Sequence, residues 1–330
     1  MRRSAYRIGA RVVEPVSLSI AAGDRVMPTP RHIRGVGSRG PRTEKAIPAS
    51  IARRAVLAGS LLALPALAND AGSALADLER RNSGRLGVAA LDTASGRRAG
   101  WRSDERFPMS STFKFLAAAL VLARVDRGDE SLDRRIVFSD KDLVTYSPVT
   151  QDHVGSGGMS VAEICEAAVT LSDNTAGNLL LASFGGPQAL TAYARALGDS
   201  STRLDRIETE LNEATPGDPR DTTTPAAMLG DMQRLLIGDA LSAASRDRLI
   251  GWLLACKTGG KRLRAGLPSD WRVGDKTGGG NNGTANDIAV AWPPGRAPIL
   301  VAVYFTGSTI ADDARSAVIA DAGRIAITGL

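Results

Sequence analysis

Phe107-Pro108-Met109-Ser110-Ser111-Thr112-Phe113-Lys114-Phe115-Leu116-Ala117-Ala118-Ala119-Leu120-Val121-Leu122-Ala123 marks the point where this chain changes character. A proline just ahead of an apolar run is a helix-start signal, so Phe113–Ala123 reads as a helix. From about Ser111 to Leu254 the chain is helical in pattern and rich in Ala and Leu. Upstream, Leu86–Asp92 and Arg97–Trp101 alternate like two strands about the turn Ala94-Ser95-Gly96. Ahead of them, Ala71–Arg81 reads as an amphipathic helix with Ala74, Leu75 and Leu78 on one face. Downstream, Trp271–Lys276, Ile288–Trp292 and Ile299–Phe305 are β-rich, and Asp312–Ile327 closes as a helix. Both ends thus read as one sheet with terminal helices, and the middle as an inserted helical domain. Residues with chemical potential come from both halves, which places a site in the cleft between them.

The net charge of +6 over 330 residues suggests a nucleic-acid or membrane partner. Its distribution removes that reading. Residues 1–68 hold 12 of the 41 Lys and Arg and 3 of the 35 Asp and Glu, which leaves the body mildly acidic. The leader has the parts of an export signal. Arg53-Arg54 precede the apolar stretch Ala55–Leu67, and Ala66-Leu67-Ala68 is a small-x-small cleavage pattern. The paired arginines match a twin-arginine signal, with a general secretory signal as the alternative. The stretch is shorter than the ~20 residues a bilayer-spanning helix needs. The mature protein is therefore expected to start near Asn69, to be periplasmic or secreted, and to keep no membrane insertion. Residues 1–47 lack periodicity and read as a disordered extension or an over-extended start, with Met27 as one alternative. Gly35-x-Gly37-x-x-Gly40 follows no strand and opens no helix, so it reads as coil rather than a dinucleotide site.

The body keeps Cys165 and Cys256, read as buried free thiols. Its single histidine, His153, is too little for a three-histidine zinc site. No metal and no cofactor are expected, and the catalytic base is pushed toward Lys or Glu.

Four short motifs carry the chemistry. Ser111-Thr112-Phe113-Lys114 places a serine at a helix start, where its backbone N–H and the helix dipole favour developing negative charge. Lys114 lies one turn on and, as a neutral amine, takes the Ser111 proton. In Ser172-Asp173-Asn174, Ser172 is a proton relay to a leaving nitrogen. Asn174 offers its amide to a substrate carbonyl, and Asp173 holds the turn. Arg203–Pro225 is long and Pro/Gly-punctuated, and Arg206 with Asp221 closes it as an Ω-loop over 203–225. Within it, Glu208 and Asn212 converge on one water, which Glu208 deprotonates to hydrolyse an acyl-enzyme. Lys276-Thr277-Gly278 ends the strand Trp271–Lys276 and binds a substrate carboxylate through Lys276 and Thr277. The N–H of Gly279 is the second oxyanion donor beside that of Ser111. Each motif alone has a bland reading: a capping serine, a turn, a solvated acidic loop, a Gly-rich hairpin.

Taken together, the four resemble the signature of the class A serine β-lactamases, for which Ser-x-x-Lys, Ser-Asp-Asn and Lys-Thr-Gly are known marks. The match covers about residues 70–330 and extends to Tyr146-Ser147-Pro148-Val149-Thr150, Arg206 to Pro225 and Gly274-Asp275-Lys276-Thr277-Gly278. The resemblance implies an α/β fold: an antiparallel sheet flanked by helices, from residues 69–105 and 255–330, packed on an all-α domain, 106–254. It implies a β-lactam substrate that acylates Ser111, deacylation by water held by Glu208 and Asn212, and proton transfer by Lys114 and Ser172. Tyr146 then walls the cleft, Asn178 supports Glu208, and Arg262 sits beside the carboxylate site. A monomer suffices for all of this. Three departures stand out. Thr209 replaces a proline that follows a cis bond in many members, and Ala118 replaces a cysteine that pairs with the Cys165 equivalent in some. Ser110 and Gly280 stand where carbapenem-hydrolysing members often carry a disulfide. The alternatives are a D-alanyl-D-alanine peptidase, which the Glu208–Asn212 loop disfavours, and a non-turnover β-lactam sensor. A general serine esterase lacks its Gly-x-Ser-x-Gly elbow here.

Overall fold

The computed structural model describes residues 66–155 and 157–330, with side chains from Ala71 onward. The expectations for residues 1–65, Arg53-Arg54 among them, lie outside the described residues. The expected cleavage pattern at Ala66–Ala68 falls in the first turn of the first helix. In chain order the elements are α1 (Ala66–Asn82), β1 (Arg85–Asp92), β2 (Arg98–Trp101), β3 (Phe107–Pro108) and α2 (Phe113–Asp126). Then come β4 (Arg135–Ile136), β5 (Met159–Ser160), α3 (Val161–Thr170), α4 (Asn174–Phe184) and α5 (Gly186–Ala196). After β6 (Thr222–Thr223) follow α6 (Pro225–Leu236), α7 (Ala243–Leu254) and α8 (Leu263–Gly266). The chain ends with β7 (Arg272–Gly280), β8 (Thr284–Trp292), β9 (Ile299–Thr306) and α9 (Asp312–Thr328).

The main sheet has five strands in the order β2-β1-β9-β8-β7, every neighbouring pair antiparallel. β1 and β9, from opposite ends of the chain, pair from Arg85↔Thr306 to Asp92↔Ile299. Side chains alternate across a strand, and here both faces are covered. In β9, Leu300, Ala302 and Tyr304 face the core shared with α2, α6 and α7. Ile299, Val301, Val303 and Phe305 face the core shared with α1 and α9. This is why β8 and β9 read as nearly continuous apolar runs and not as alternating ones. Truncating one such side chain to Ala costs about 2–5 kcal/mol. An exposed ion pair such as Lys261–Asp313 contributes about 0–1 kcal/mol, so the two cores set the framework.

Two details correct the sequence reading. The strand expected to stop at Lys276 runs on to Gly280, which pairs with Thr284. Lys276-Thr277-Gly278 therefore lies inside β7, because the glycines keep up the ladder with β8. Ser111 sits in a 3₁₀ turn, Ser110–Thr112, that feeds α2 without a side-chain cap. Cys165 and Cys256 are buried free thiols, as expected.

Candidate active site

α2 is buried on all sides from Phe113 to Ala123, and a lysine on such a helix must find oxygen partners. Lys114 has no exposed side-chain surface, and four oxygens surround its Nζ. They are Ser111 Oγ at 2.9 Å, the Ser172 carbonyl at 2.9 Å, Asn174 Oδ1 at 2.7 Å and Glu208 Oε1 at 2.9 Å. An ammonium has three protons to donate, so these acceptors compete for it. Burial lowers the Lys114 pKa from the ordinary lysine value, against the raising pull of the Glu208 carboxylate. Ser111 Oγ is 3.2 Å from Glu208 Oε1 and donates to it, and Ser111 is only 7 % exposed. Ser111 Oγ therefore touches both candidate bases, which touch each other.

Glu208 is fixed by its neighbours. Asn178, on α4, donates to the Glu208 carbonyl at 2.9 Å and accepts from the Glu208 N–H at 2.8 Å. Asn212 donates from Nδ2 to Glu208 Oε2, while its buried Oδ1 meets no protein donor. The Glu208–Thr209 peptide is cis although Thr209 is no proline. Arg206 Nε donates to Asp221 Oδ2 at 2.6 Å, and Asp221 Oδ1 also accepts the backbone N–H of Asp205 and Arg206 at 2.8 and 2.9 Å. The neck of the loop closes where Arg203 N–H donates to the Thr222 carbonyl at 2.9 Å.

Ser172 stands at φ +59°, between α3 and α4, and Asp173 caps α4. Asp173 accepts from Val149 N–H, Thr150 N–H and Ala176 N–H, which is the structural task the sequence assigns to it. Lys276 Nζ donates to Ser172 Oγ at 2.9 Å and to the Thr277 carbonyl at 2.6 Å. It is fully buried, and burial first, the Lys114 charge second, bring its pKa down to about 7. Asn174 Nδ2 donates to the Thr145 carbonyl at 2.8 Å, which leaves its second amide proton for another acceptor. Tyr146 is 54 % exposed at the rim, and Arg262 donates to the carbonyls of Gly278 and Asn286 at 2.7 Å each.

Ser111, Tyr146, Ser172, Asn174, Asn212, Arg262, Thr277 and Gly279 line one cleft of about 290 Å³. Lys114, Glu208 and Lys276 lie beneath its wall. Larger cavities elsewhere, about 660 and 700 Å³, contain none of these residues. Sequence reading missed Thr258, which lines the cleft with its Oγ1 2.5 Å from Thr277 Oγ1. A signal was present: Lys257-Thr258-Gly259-Gly260 repeats the letters of Lys276-Thr277-Gly278-Gly279. Sequence reading also missed the support behind β7. Asp275 is buried, accepts from Cys256 Sγ at 3.3 Å and pairs with Arg264. His153 lies in a separate turn, Thr150–His153, and does not line the cleft.

Comparison with known proteins gives a consistent result. The family model described as "Beta-lactamase enzyme family" matches residues 70–330. Beta-lactamase AST-1 of Nocardia asteroides is 53 % identical over 255 residues, covering 77 % of this chain and 82 % of that protein. Beta-lactamase CTX-M-8 of Citrobacter amalonaticus is 48 % identical over 266 residues, covering 81 % and 91 %. Among solved structures, the class A β-lactamase of the last common ancestor of Gram-negative bacteria is 67 % identical with a TM-score of 0.77. That match covers 78 % of this chain and 98 % of the other.

Proposed function

This chain belongs to the class A serine β-lactamases, and from that premise we propose how its own residues open the β-lactam ring. Ser111 Oγ attacks the ring carbonyl as its proton passes to the Lys114–Glu208 pair. The two bases are 2.9 Å apart and act as one proton-holding unit. The C–N bond breaks, and the ring nitrogen takes a proton from Ser172. Ser172 is refilled by the proton that Ser111 gave up, so that the Lys114–Glu208 pair is free to act again; Lys276 holds Ser172 through its 2.9 Å hydrogen bond. A water between Glu208 and Asn212 then gives its proton to Glu208 and attacks the ester carbonyl. Ser111 leaves with a proton, and the free acid product departs. The N–H groups of Ser111 and Gly279 stabilise the oxyanion in both steps. Lys276, Thr277, Thr258 and Arg262 form the carboxylate end of the cleft, and Asn174 and Tyr146 its opposite wall.

The observation that carries this reading is Ser111 Oγ within hydrogen-bond reach of both Lys114 Nζ and Glu208 Oε1. It separates hydrolysis from stalled acylation, because a penicillin-binding protein or sensor needs no second base beside the ester. The test is intact mass after mixing with a penicillin. Ser111→Ala should form no adduct. Glu208→Ala should form one and keep it, with deacylation slowed about 10²–10⁴-fold, the usual range for losing a general base. Normal steady-state turnover by Glu208→Ala would remove the role given to Glu208.

For location, we read residues 1–68 as an export leader of twin-arginine type, which delivers the protein to the periplasm or medium. Arg53-Arg54, the apolar run and the small-x-small pattern support this. Among the described residues no helix is long and apolar enough to cross a membrane. The reading includes a monomer, since the cleft draws on one chain.

A further inference from the structure

Among the described residues, Asp231 Oδ1, Asp231 Oδ2 and Asp199 Oδ2 are buried carboxylate oxygens, away from the cleft, that meet no donor. Asp231, on α6, is 0 % exposed, and Asp199, just past α5, is 4 % exposed. The corner that carries Asp199 packs on α6, where a Cβ at Gly198 would fall 3.1 Å from the Arg234 guanidinium, and Asp199 is the charge that acts most strongly on Asp231. Asp199 Oδ1 already accepts the N–H of Ser201 at 2.6 Å and of Thr202 at 3.0 Å. Two facing carboxylates in a low-dielectric interior do not both ionise, and an unpaired buried acceptor costs about 1–3 kcal/mol. A single proton shared between the two carboxyl groups would remove the repulsion and pair one Asp231 oxygen with Asp199 Oδ2, leaving the second Asp231 oxygen without a protein donor.

The surrounding groups do not replace that proton. Arg195, on α5, donates from Nη1 to the carbonyls of Asp199 and Thr202 at 2.6 and 2.7 Å. Arg234 lies three residues on from Asp231 along α6, and it and Arg195 only partly offset the repulsion. Tyr193, on α5, and Tyr304, on β9, feel the pair. Burial first, then nearby charges that include Asp231, push both phenols up. At the rim, Arg98 and Asp104 share a cavity with Asp199 and Arg234.

The pair has a particular place in the chain. Asp199 precedes the 203–225 loop and Asp231 follows it. Between them, Thr202 Oγ1 and Thr223 Oγ1 are 2.6 Å apart, and Thr224 caps α6. The pair thus ties the two stems of the loop that carries Glu208 and Asn212.

We propose that Asp231 is a positioning residue for deacylation, sharing one proton with Asp199 across the stem of the loop and so holding Glu208 and Asn212 in place. The inference rests on the deacylating role proposed for Glu208. Burial first, and the Asp199 charge second, push the Asp231 carboxyl up to about 9. The folded protein therefore keeps a proton that the unfolded chain loses near pH 4, its ordinary value being about 3.9. This contribution to stability is full in acid, declines as pH rises, and is gone once pH passes about 9.

The test compares Asp231→Asn, which keeps shape and a donor but does not titrate, with the parent. Denaturant midpoints and deacylation rates are measured from about pH 6 to about pH 10. The parent should lose stability with rising pH more steeply than the variant. Its deacylation should fall about tenfold per pH unit above about 9, while that of Asp231→Asn holds. Lys114 and Lys276 titrate in both proteins and cancel in the comparison. Asp231→Ala should deacylate more slowly at neutral pH, with Asn restoring the rate; if the Ala variant does not fold, the Asn comparison still decides. Superimposable stability profiles overturn the shared proton. Divergent stability with identical deacylation overturns the positioning role. Failure of the Glu208 role appears separately, as a Glu208→Ala protein that retains no adduct while the stability profiles still diverge.

Discussion

At the scale of single residues, the site is a contest between burial and charge. Lys114 and Lys276 are both fully buried cations, and they are treated differently. Lys114 has a carboxylate at 2.9 Å, whereas the hydrogen-bond acceptors of Lys276 are two neutral oxygens, Ser172 Oγ and the Thr277 carbonyl. Lys276 thus titrates at about 7. It is cationic below that value and neutral above it, so its pull on a substrate carboxylate weakens as pH rises. KM for a carboxylate-bearing β-lactam should climb above about pH 7, and the Lys276→Arg variant, which stays charged, should show a flatter profile. A KM that stays level from about pH 6 to about pH 9 would count against the Lys276 assignment. The stability effect has the same window: the unfolded lysine keeps its proton to about 10.4, so this group's contribution rises with pH between about 7 and about 10. The residues that gather at the cleft were legible because the proposed nucleophile, base and relay each call for a particular side chain. Thr258 was not, since a threonine that only completes a hydroxyl pair is set by the fold and not by its own neighbours.

At the scale of elements, the loop over 203–225 is a positioned arm whose hold is chiefly ionic. Arg206 is 17 % exposed and Asp221 1 %, so their pair is less screened than a surface bridge. Removing Arg206 strands a buried carboxylate, although two backbone N–H groups still reach it. Arg206→Ala should cost on the order of 3 kcal/mol, raise protease sensitivity within 203–225 and slow deacylation more than acylation. Unchanged stability and unchanged cleavage would break the link between this pair and the loop. The loop and its closing pair were readable from length and composition. The extent of β7 was not: glycines usually end strands, and here they stay in the ladder. At Gly278 a Cβ would fall 2.9 Å from the Met109 carbonyl, so the absence of a side chain is what lets β7 approach the turn that carries Ser111.

At the scale of the whole molecule, the sheet is closed by pairing β1 with β9 across the full length of the described chain. The helical middle is therefore inserted between strands that are neighbours in space. Ser111, Ser172 and Glu208 come from the insertion, and Lys276 to Gly279 from β7. Hydrophobic periodicity made the two-ended sheet readable, because helix and strand patterns do not mix within those segments. The aspartates at 199 and 231 were silent in sequence, since nothing local says that two acids thirty-two positions apart will share an interior. The central claim is turnover: two bases at one serine, so that the acyl-enzyme is made and also cleared. The most direct measurement mixes the purified protein with a chromogenic β-lactam and follows product past one equivalent, with intact mass in parallel. The account predicts sustained hydrolysis and no lasting adduct. A single equivalent of product with a stable adduct on Ser111 would contradict it.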